Sequence, residues 1–188
     1  AGPAGHVVLS GVVGARDSLV SLRLEGRFDG VDLAPHFAWL PPTVLAGTFA
    51  THLRVPTADS LAPTTGTVQV TLDRPWVAGV TFLRAGLSLG LGPEAVTIDT
   101  LYAEHASGRL NAVGAFGRPG APPARVSFSA GVDTLASFAP LARWWRERSG
   151  GAAEGDVGLD GEGRLAGTLS GTSAAWDVQG DLSLPTFA

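Results

Sequence analysis

The sequence predicts an all-β fold: a curved antiparallel β-sheet in one or two layers, shaped as an open trough or β-taco, with one or two short helices. Three observations support this prediction. Apolar and polar residues alternate over many short runs, which is the pattern of strands with one face buried. The 26 glycines and 13 prolines interrupt these runs at turn-like intervals. Only one stretch has the spacing of a helix.

The alternating runs follow one another along the chain. Each places apolar side chains on one face of a strand and polar side chains on the other. The clearest apolar sets are Val20, Leu22, Leu24 and Phe28, then Leu45, Phe49, Leu53 and Val55, and finally Trp176, Val178, Leu182 and Leu184. Further strands are predicted over 67–72, 85–91, 95–102, 109–116, 125–130 and 157–169.

The helical stretch covers residues 133–148, DTLASFAPLARWWRER. Asp133 is placed to cap its start. At about 100° per residue, one apolar stripe forms from Leu135, Phe138, Leu141, Ala142 and Trp145. Pro140 lies inside the stretch and predicts a kink or a split. Trp144 is expected on the side away from the stripe, where it covers a sheet edge or contacts a membrane surface or partner.

A repeat divides the chain. GVD followed by FA and Leu occurs over residues 30–40 and again over 131–141, and LAGT occurs at 45–48 and 165–168. We therefore predict a single β-rich unit, 1–188, containing two related segments at about 16–120 and 121–188. Each segment is expected to have a strand followed by a short helix, at 32–40 and 133–148.

Composition and motifs argue against most chemical functions. Thirteen arginines, no lysine and a net charge of −4 provide no basic stripe, so we predict no nucleic-acid partner. The chain has no cysteine and no catalytic or phosphate-binding motif, and its four histidines have no metal-ligand spacing. The prediction is a protein that is not an enzyme and has no cofactor or metal. The weaker alternatives are a calcium site in GDVGLDGEG at 155–163 and sugar stacking on the tryptophans.

No run is apolar enough to span a bilayer. The chain begins AGPAG and contains no methionine. We therefore expect a processed product or a piece of a longer protein, with any membrane anchor outside this sequence.

The repeated VD, FA and Leu pattern, the LAGT strands, and segments such as VTIDTLYAEHASGRLNAVGAFG and GEGRLAGTLSGTSAAWDVQGDLSL resemble the AsmA-like proteins of Gram-negative envelopes, a family that includes TamB. The resemblance covers about residues 16–186 and is one of texture, since it carries no individual functional residue. It implies a periplasmic, membrane-associated protein whose sheet curls into a trough with an apolar interior. It also implies a part in phospholipid transport to the outer membrane or in outer-membrane protein assembly.

Two functions are predicted on this basis. The first is a β-groove protein that shields lipid tails, with inward residues Leu22, Leu24, Phe28, Phe49, Leu53, Leu165, Leu169, Trp176, Val178 and Leu182. The second is a structural periplasmic subunit that binds and stabilises a large membrane-protein complex. Its predicted contacts with a partner or membrane surface are Arg143, Trp144, Trp145 and Arg146. The same apolar residues would also suit the dry core of a sandwich, and alternation alone does not distinguish these cases.

Overall fold

Antiparallel β-strands make up most of the described chain. The computed structural model describes residues 5–16, 18–37, 39–57, 62–118, 120–149, 160–172 and 175–184, with the backbone alone at 172, 175 and 176. The strands are β1 His6–Arg16, β2 Leu19–Val31, β3 Thr43–Pro56, β4 Thr65–Asp73, β5 Trp76–Val77, β6 Val80–Thr81, β7 Arg84–Leu91, β8 Ala95–His105, β9 Gly108–Gly117, β10 Ala124–Val132, β11 Gly163–Thr172 and β12 Ala175–Ser183. A 3₁₀ helix, Leu135–Phe138, leads directly into the α-helix α1, Ala139–Arg148.

Ten of these strands lie side by side in the order β1-β2-β3-β4-β7-β8-β9-β10-β11-β12. Neighbouring strands are antiparallel, and among the described residues the only parallel bridge joins Thr172 to Gly117. The small hairpin of β5 and β6 pairs with the start of β3. The sheet is open and does not close into a barrel, and 66% of the structure is strand. The predicted all-β fold with an open antiparallel sheet and a short helix is therefore confirmed.

The connections differ at the two ends of the sheet. One end, which we call the capped end, carries the 32–42 connection, the β5–β6 hairpin and the helical segment 135–148. The opposite end carries the 92–94 turn, and there the guanidinium of Arg118 donates a 2.7 Å hydrogen bond to the carbonyl oxygen of Thr64. The fully buried residues Pro75 and Val80, together with Thr43 and Leu45, lie at the capped end.

The helix expected at 32–40 is not formed by the described residues of that segment. They make turns instead: the amides of His36 and Phe37 both donate to the carbonyl oxygen of Leu33, and that of Leu40 donates to Phe37. Pro41 and Pro42 limit the segment, because each proline disfavours a helical conformation at the residue before it.

The second helical segment forms, with two corrections. Its start at Thr134 has no side-chain cap, so the predicted cap by Asp133 is wrong. Pro140 splits the segment as predicted, and it lies in the first turn of α1, where a missing amide is tolerated. Trp145 is 66% exposed and Trp144 is half-buried, the reverse of the expected orientation.

Strand β1 was not predicted. Its sequence, HVVLSGVVGAR, has valine on both faces and so lacks the alternation that identified the other strands. The strand predicted over 157–169 begins instead at Gly163, and residues 157–159 lie outside the described residues, as does most of the calcium candidate at 155–163.

Candidate functional site: an apolar face across ten strands

The strand register aligns apolar residues in continuous rows across the whole sheet. One row runs Val7, Phe28, Gly47, Leu72, Ala85, Ala103, Leu110, Ala130, Leu165 and Leu182. The next runs Leu9, Gly26, Phe49, Val70, Leu87, Leu101, Ala112, Phe128, Gly167 and Gly180. A third runs Gly11, Leu24, Thr51, Val68, Leu89, Ile98, Gly114, Val126, Leu169 and Val178. Directly paired residues point to the same side of a sheet, so these rows form one surface, which we call the apolar face.

Exposure differs between the two sides of the sheet. Along β2 the residues of the apolar face are half-buried, and the residues between them, such as Arg23 and Glu25, are exposed. On β4 the polar Gln69 and Thr71 are exposed in the same way. The side opposite the apolar face, which we call the polar face, is therefore the side that faces water on these strands.

Glycines on the apolar face make room for aromatic rings on neighbouring strands. A Cβ atom at Gly26 would lie 2.7 Å from Cε1 of Phe49, and one at Gly167 would lie 2.7 Å from Cζ of Phe128. The rings of Phe28 and Phe49 are 6.4 Å apart between centroids. Large side chains thus extend over glycine positions and make the face continuous.

The apolar face contains buried residues on the interior strands β9 and β10 and is exposed on the two edge strands. Val126 on β10 is 1% exposed and Ala112 on β9 is 7% exposed. On the edge strands, by contrast, Leu9 is 59%, Val178 62% and Leu182 65% exposed. The surface available to an apolar ligand or partner therefore lies toward the two edges.

The helical segment and the β5–β6 hairpin cover the apolar face at the capped end. The ring of Phe138 is 4.8 Å from that of His105 and 6.2 Å from that of Phe82. A Cβ atom at Gly163 on β11 would lie 3.3 Å from a methyl group of Leu135. Because His105 and Gly163 fall on the apolar side of their strands, these contacts place the helical segment over that face.

Asp32 holds the connection between β2 and β3 at the capped end. Its Oδ1 accepts hydrogen bonds from the amides of Ala34 and Thr43, each 3.0 Å, and from the Thr43 hydroxyl at 3.1 Å. The Thr43 hydroxyl in turn accepts from the amide of Leu33 at 2.9 Å. These bonds, above all the one from Ala34, lower the pKa of Asp32 below its ordinary 3.8.

The polar face carries a row of alternating charge near the capped end. Asp73, Arg84, Glu104 and Arg109 are paired in sequence across β4, β7, β8 and β9. Arg84 donates two hydrogen bonds to Glu104, of 2.7 and 2.8 Å. They lower the pKa of Glu104 and raise that of Arg84. This ion pair is exposed to solvent, and it aligns neighbouring strands with no reactive group beside it.

Two shallow depressions, of about 720 and 960 Å³, are lined mainly by the polar face. The first contains Glu25, Arg27 and Thr48, and the second contains Arg109, Asn111 and Ser129. Such linings suit water, so the apolar face and not these depressions is the candidate surface for an apolar ligand. Within the described residues, no three histidine or acidic side chains come together as metal ligands.

No protein-family model, curated protein or solved structure matches this chain. No described helix combines the length and hydropathy needed to span a bilayer.

The predicted groove residues fall into two groups on the apolar face. Leu22, Leu24, Phe28, Phe49 and Leu53 lie on β2 and β3, and Leu165, Leu169, Val178 and Leu182 lie on β11 and β12. Trp176 pairs with Gly171 and falls on the same side of β12 as Val178. The structure describes only the backbone of Trp176. Five strands separate the two groups within the sheet. That these residues bind lipid stays a prediction.

Sequence reasoning left out the middle of the face. Val68, Val70, Leu87, Leu89, Ile98, Leu101, Leu110 and Phe128 connect the two groups through the rows above. All lie in or at the edge of runs predicted as strands. Their alternation was the available signal, but the order of strands in the sheet was needed to see that they continue one surface.

The predicted partner contacts form part of α1. Trp145 and Arg143 are exposed, whereas Trp144 and Arg146 are half-buried. The two tryptophan rings are 6.3 Å apart. Trp145 and Arg143 are thus the accessible members of this set.

Proposed function

We propose that this chain is a non-enzymatic β-groove protein of the bacterial periplasm. Its apolar face shields lipid tails during outer-membrane lipid transport or protein assembly, in the manner implied by its resemblance to AsmA-like proteins. The observation that carries the proposal is the continuity of the apolar face across ten strands. A regular surface of aliphatic and aromatic side chains requires no catalytic group to do this work.

The extent of the face suits acyl chains. Strands are spaced by about 4.8 Å, so ten strands span about 43 Å. Each acyl methylene that leaves water for such a face gains about 0.8 kcal/mol. An open apolar sheet is therefore a favourable surface for lipid tails.

Binding of pyrene-labelled phosphatidylglycerol tests this function. Phe49→Asp places a charge on the apolar face, and Ala50→Asp is the matched control, because Ala50 is the next residue of β3 and is exposed on the polar face. We expect Phe49→Asp to weaken binding at least about tenfold, equivalent to about 1.4 kcal/mol. Ala50→Asp should leave binding unchanged.

A second variant covers the case in which Phe49→Asp does not fold. Leu165 is 39% exposed on the apolar face, so Leu165→Asp should fold and still weaken binding. Equal affinity of the wild type, Leu165→Asp and Ala50→Asp, or no measurable binding by the wild type, would contradict the lipid-shielding function.

The second candidate is a structural subunit of a membrane-protein complex. Trp145, 66% exposed on α1 beside the exposed Arg143, favours it, because an exposed tryptophan next to an arginine is typical of interface residues. The chain should then be recovered from detergent-solubilised membranes at a fixed ratio to integral proteins. Trp145→Ala should release it, and Arg148→Ala, an exposed change at the end of the same helix, should not.

A further inference from the structure

Among the residues that the structure describes, the two outermost strands of the sheet, β1 and β12, each pair with a strand on one side only. All eleven residues of β1 are exposed, and so are the described side chains of β12. Val13 at 65% and Val178 at 62% are among the most exposed apolar residues of the described chain. A long apolar edge with free amides and carbonyls is a template for pairing with another strand.

The topology makes the two edges mutually compatible. Neighbouring strands of the ten are antiparallel, and because ten is an even number, β1 and β12 run in opposite directions. A β1 strand placed beside a β12 strand of another copy therefore continues the antiparallel alternation. Both apolar faces then lie on the same side.

The strand register of the sheet also makes the edges of β1 and β12 compatible. Val7 and Leu182 stand in one row, Leu9 and Gly180 in the next, and Gly11 and Val178 in the third. Continuing each row from β12 of one copy to β1 of another places these residues directly opposite each other.

We propose that the partner of these edges is a second copy of this chain, with β1 of one copy paired antiparallel to β12 of the next in this register. The contact joins two different surfaces, so each copy keeps one edge free. The apolar face becomes continuous from copy to copy. This interaction surface extends the groove beyond a single chain and is separate from the question of what the groove binds.

Side-chain size fits this pairing. It sets Leu9 opposite Gly180 and Val178 opposite Gly11, so a large side chain faces a glycine in both rows. The interior of the sheet uses the same device where Phe49 faces Gly26 and Phe128 faces Gly167. The proposed contact between copies thus places large side chains opposite glycines, as the interior of the sheet does.

Charge favours the same pairing over its alternatives. The charged or titratable residues of β1 are His6 and Arg16, and those of β12 are Asp177 and Asp181. In the proposed register Asp181 lies opposite Val8 and Asp177 opposite Val12, so no two acidic residues face each other. Pairing β12 with another β12 would bring acidic strands together, which opposes association.

Closure within one chain is disfavoured by the same register. Barrels require the register to stagger as the sheet closes. Joining Val7 to Leu182 of the same chain would close the rows on themselves with no stagger. The observed sheet is open, and a second copy supplies the missing neighbour without that constraint.

Sedimentation velocity over a concentration series tests the proposal. One variant, Leu9→Lys with Val13→Lys, blocks β1. Another, Val178→Lys with Leu182→Lys, blocks β12. All four side chains are exposed, so both variants should fold, which circular dichroism checks. Val113→Lys, on the polar face of the central strand β9 and 51% exposed, is the control.

We expect the wild type and Val113→Lys to associate with increasing concentration and each blocked variant alone to stay monomeric. An equimolar mixture of the two blocked variants should form a one-to-one dimer, because each contributes one intact edge. A wild type that stays monomeric throughout, a blocked variant that dimerises alone, or a mixture that stays monomeric would overturn the proposal.

Discussion

The ring of Phe49 occupies the space above Gly26, so that a methyl group at Gly26 would lie 2.7 Å from Cε1 of that ring and would also collide with the carbonyl oxygen of Val8. The glycine is required for close approach of ring and backbone. We therefore expect Gly26→Ala to lower the free energy of unfolding by about 1–3 kcal/mol. Urea unfolding measures this change. The control is Gly14→Ala, because a Cβ atom there meets nothing within 4 Å, and it should leave stability unchanged or slightly higher.

Thr51 offers a substitution that should raise the free energy of unfolding. It lies on the apolar face between Leu24 and Val68, and its hydroxyl oxygen is buried with no hydrogen-bond partner among the described groups. Thr51→Val removes this unsatisfied group and keeps the shape, so it should raise the free energy of unfolding by about 1 kcal/mol. Thr48→Val, at an exposed position of the same strand, should give no gain. Equal effects at both positions would show that β-propensity, not burial, is responsible.

The hydrogen bonds to the Asp32 carboxylate predict that the stability of the protein depends on pH. The amides of Ala34 and Thr43 hydrogen-bond its carboxylate and lower its pKa below the ordinary 3.8. The stabilisation is therefore fully present above the ordinary pKa and is lost as the pH falls through the lowered value. Wild-type stability should decrease over this acidic range, and Asp32→Asn should flatten that part of the profile. A variant profile with the wild-type slope would assign the acid sensitivity to other carboxyl groups.

The contribution of the hydrogen bond between the Thr43 hydroxyl and the Asp32 carboxylate to the free energy of unfolding can be measured separately at neutral pH. A double-mutant cycle of Asp32→Ala and Thr43→Val should show that the two changes are not additive, because each removes the same hydroxyl-to-carboxylate contact. Additive losses would show that Asp32 acts only through the backbone amides.

Phe138 anchors the helical segment at the capped end through its contacts with Phe82 and His105. Phe138→Ala should lower the free energy of unfolding by about 2 kcal/mol, less than for a fully buried phenylalanine because Phe138 is half-buried. Trp145→Ala, which truncates an aromatic residue 66% exposed on α1, should change it by no more than about 0.5 kcal/mol. Similar losses in the two variants would contradict the packing of Phe138 against the sheet.

Local pattern predicted most of the sheet, because alternation reports directly which side of a strand is buried. Strands β2, β3, β4, β7–β10 and β12 were visible this way, and β11 was visible in part. Strand β1 was not, since Val8 and Val12 on its polar side remove the contrast. The segment at 32–40 was predicted as a helix because its sequence repeats that of 131–141, but the short segment that precedes Pro41 forms turns instead.

The candidate surface was predictable only in part. The alternation assigned Leu24 and Leu169 each to the apolar side of its own strand. Whether the two share one surface depends on pairing across the intervening strands, which no local pattern encodes. Helical spacing placed Trp145 in the apolar stripe, but which side of α1 is covered depends on how the helix packs, and Trp145 is 66% exposed.

The most direct measurement of the central claim is native mass spectrometry of the chain isolated gently from membranes, which weighs lipid and protein partners in one spectrum. Lipid shielding predicts adducts of phospholipid mass on the free chain that disappear in Leu165→Asp and persist in Ala50→Asp. A wild-type chain free of lipid and held at a constant ratio to integral membrane proteins would contradict it and favour the structural subunit.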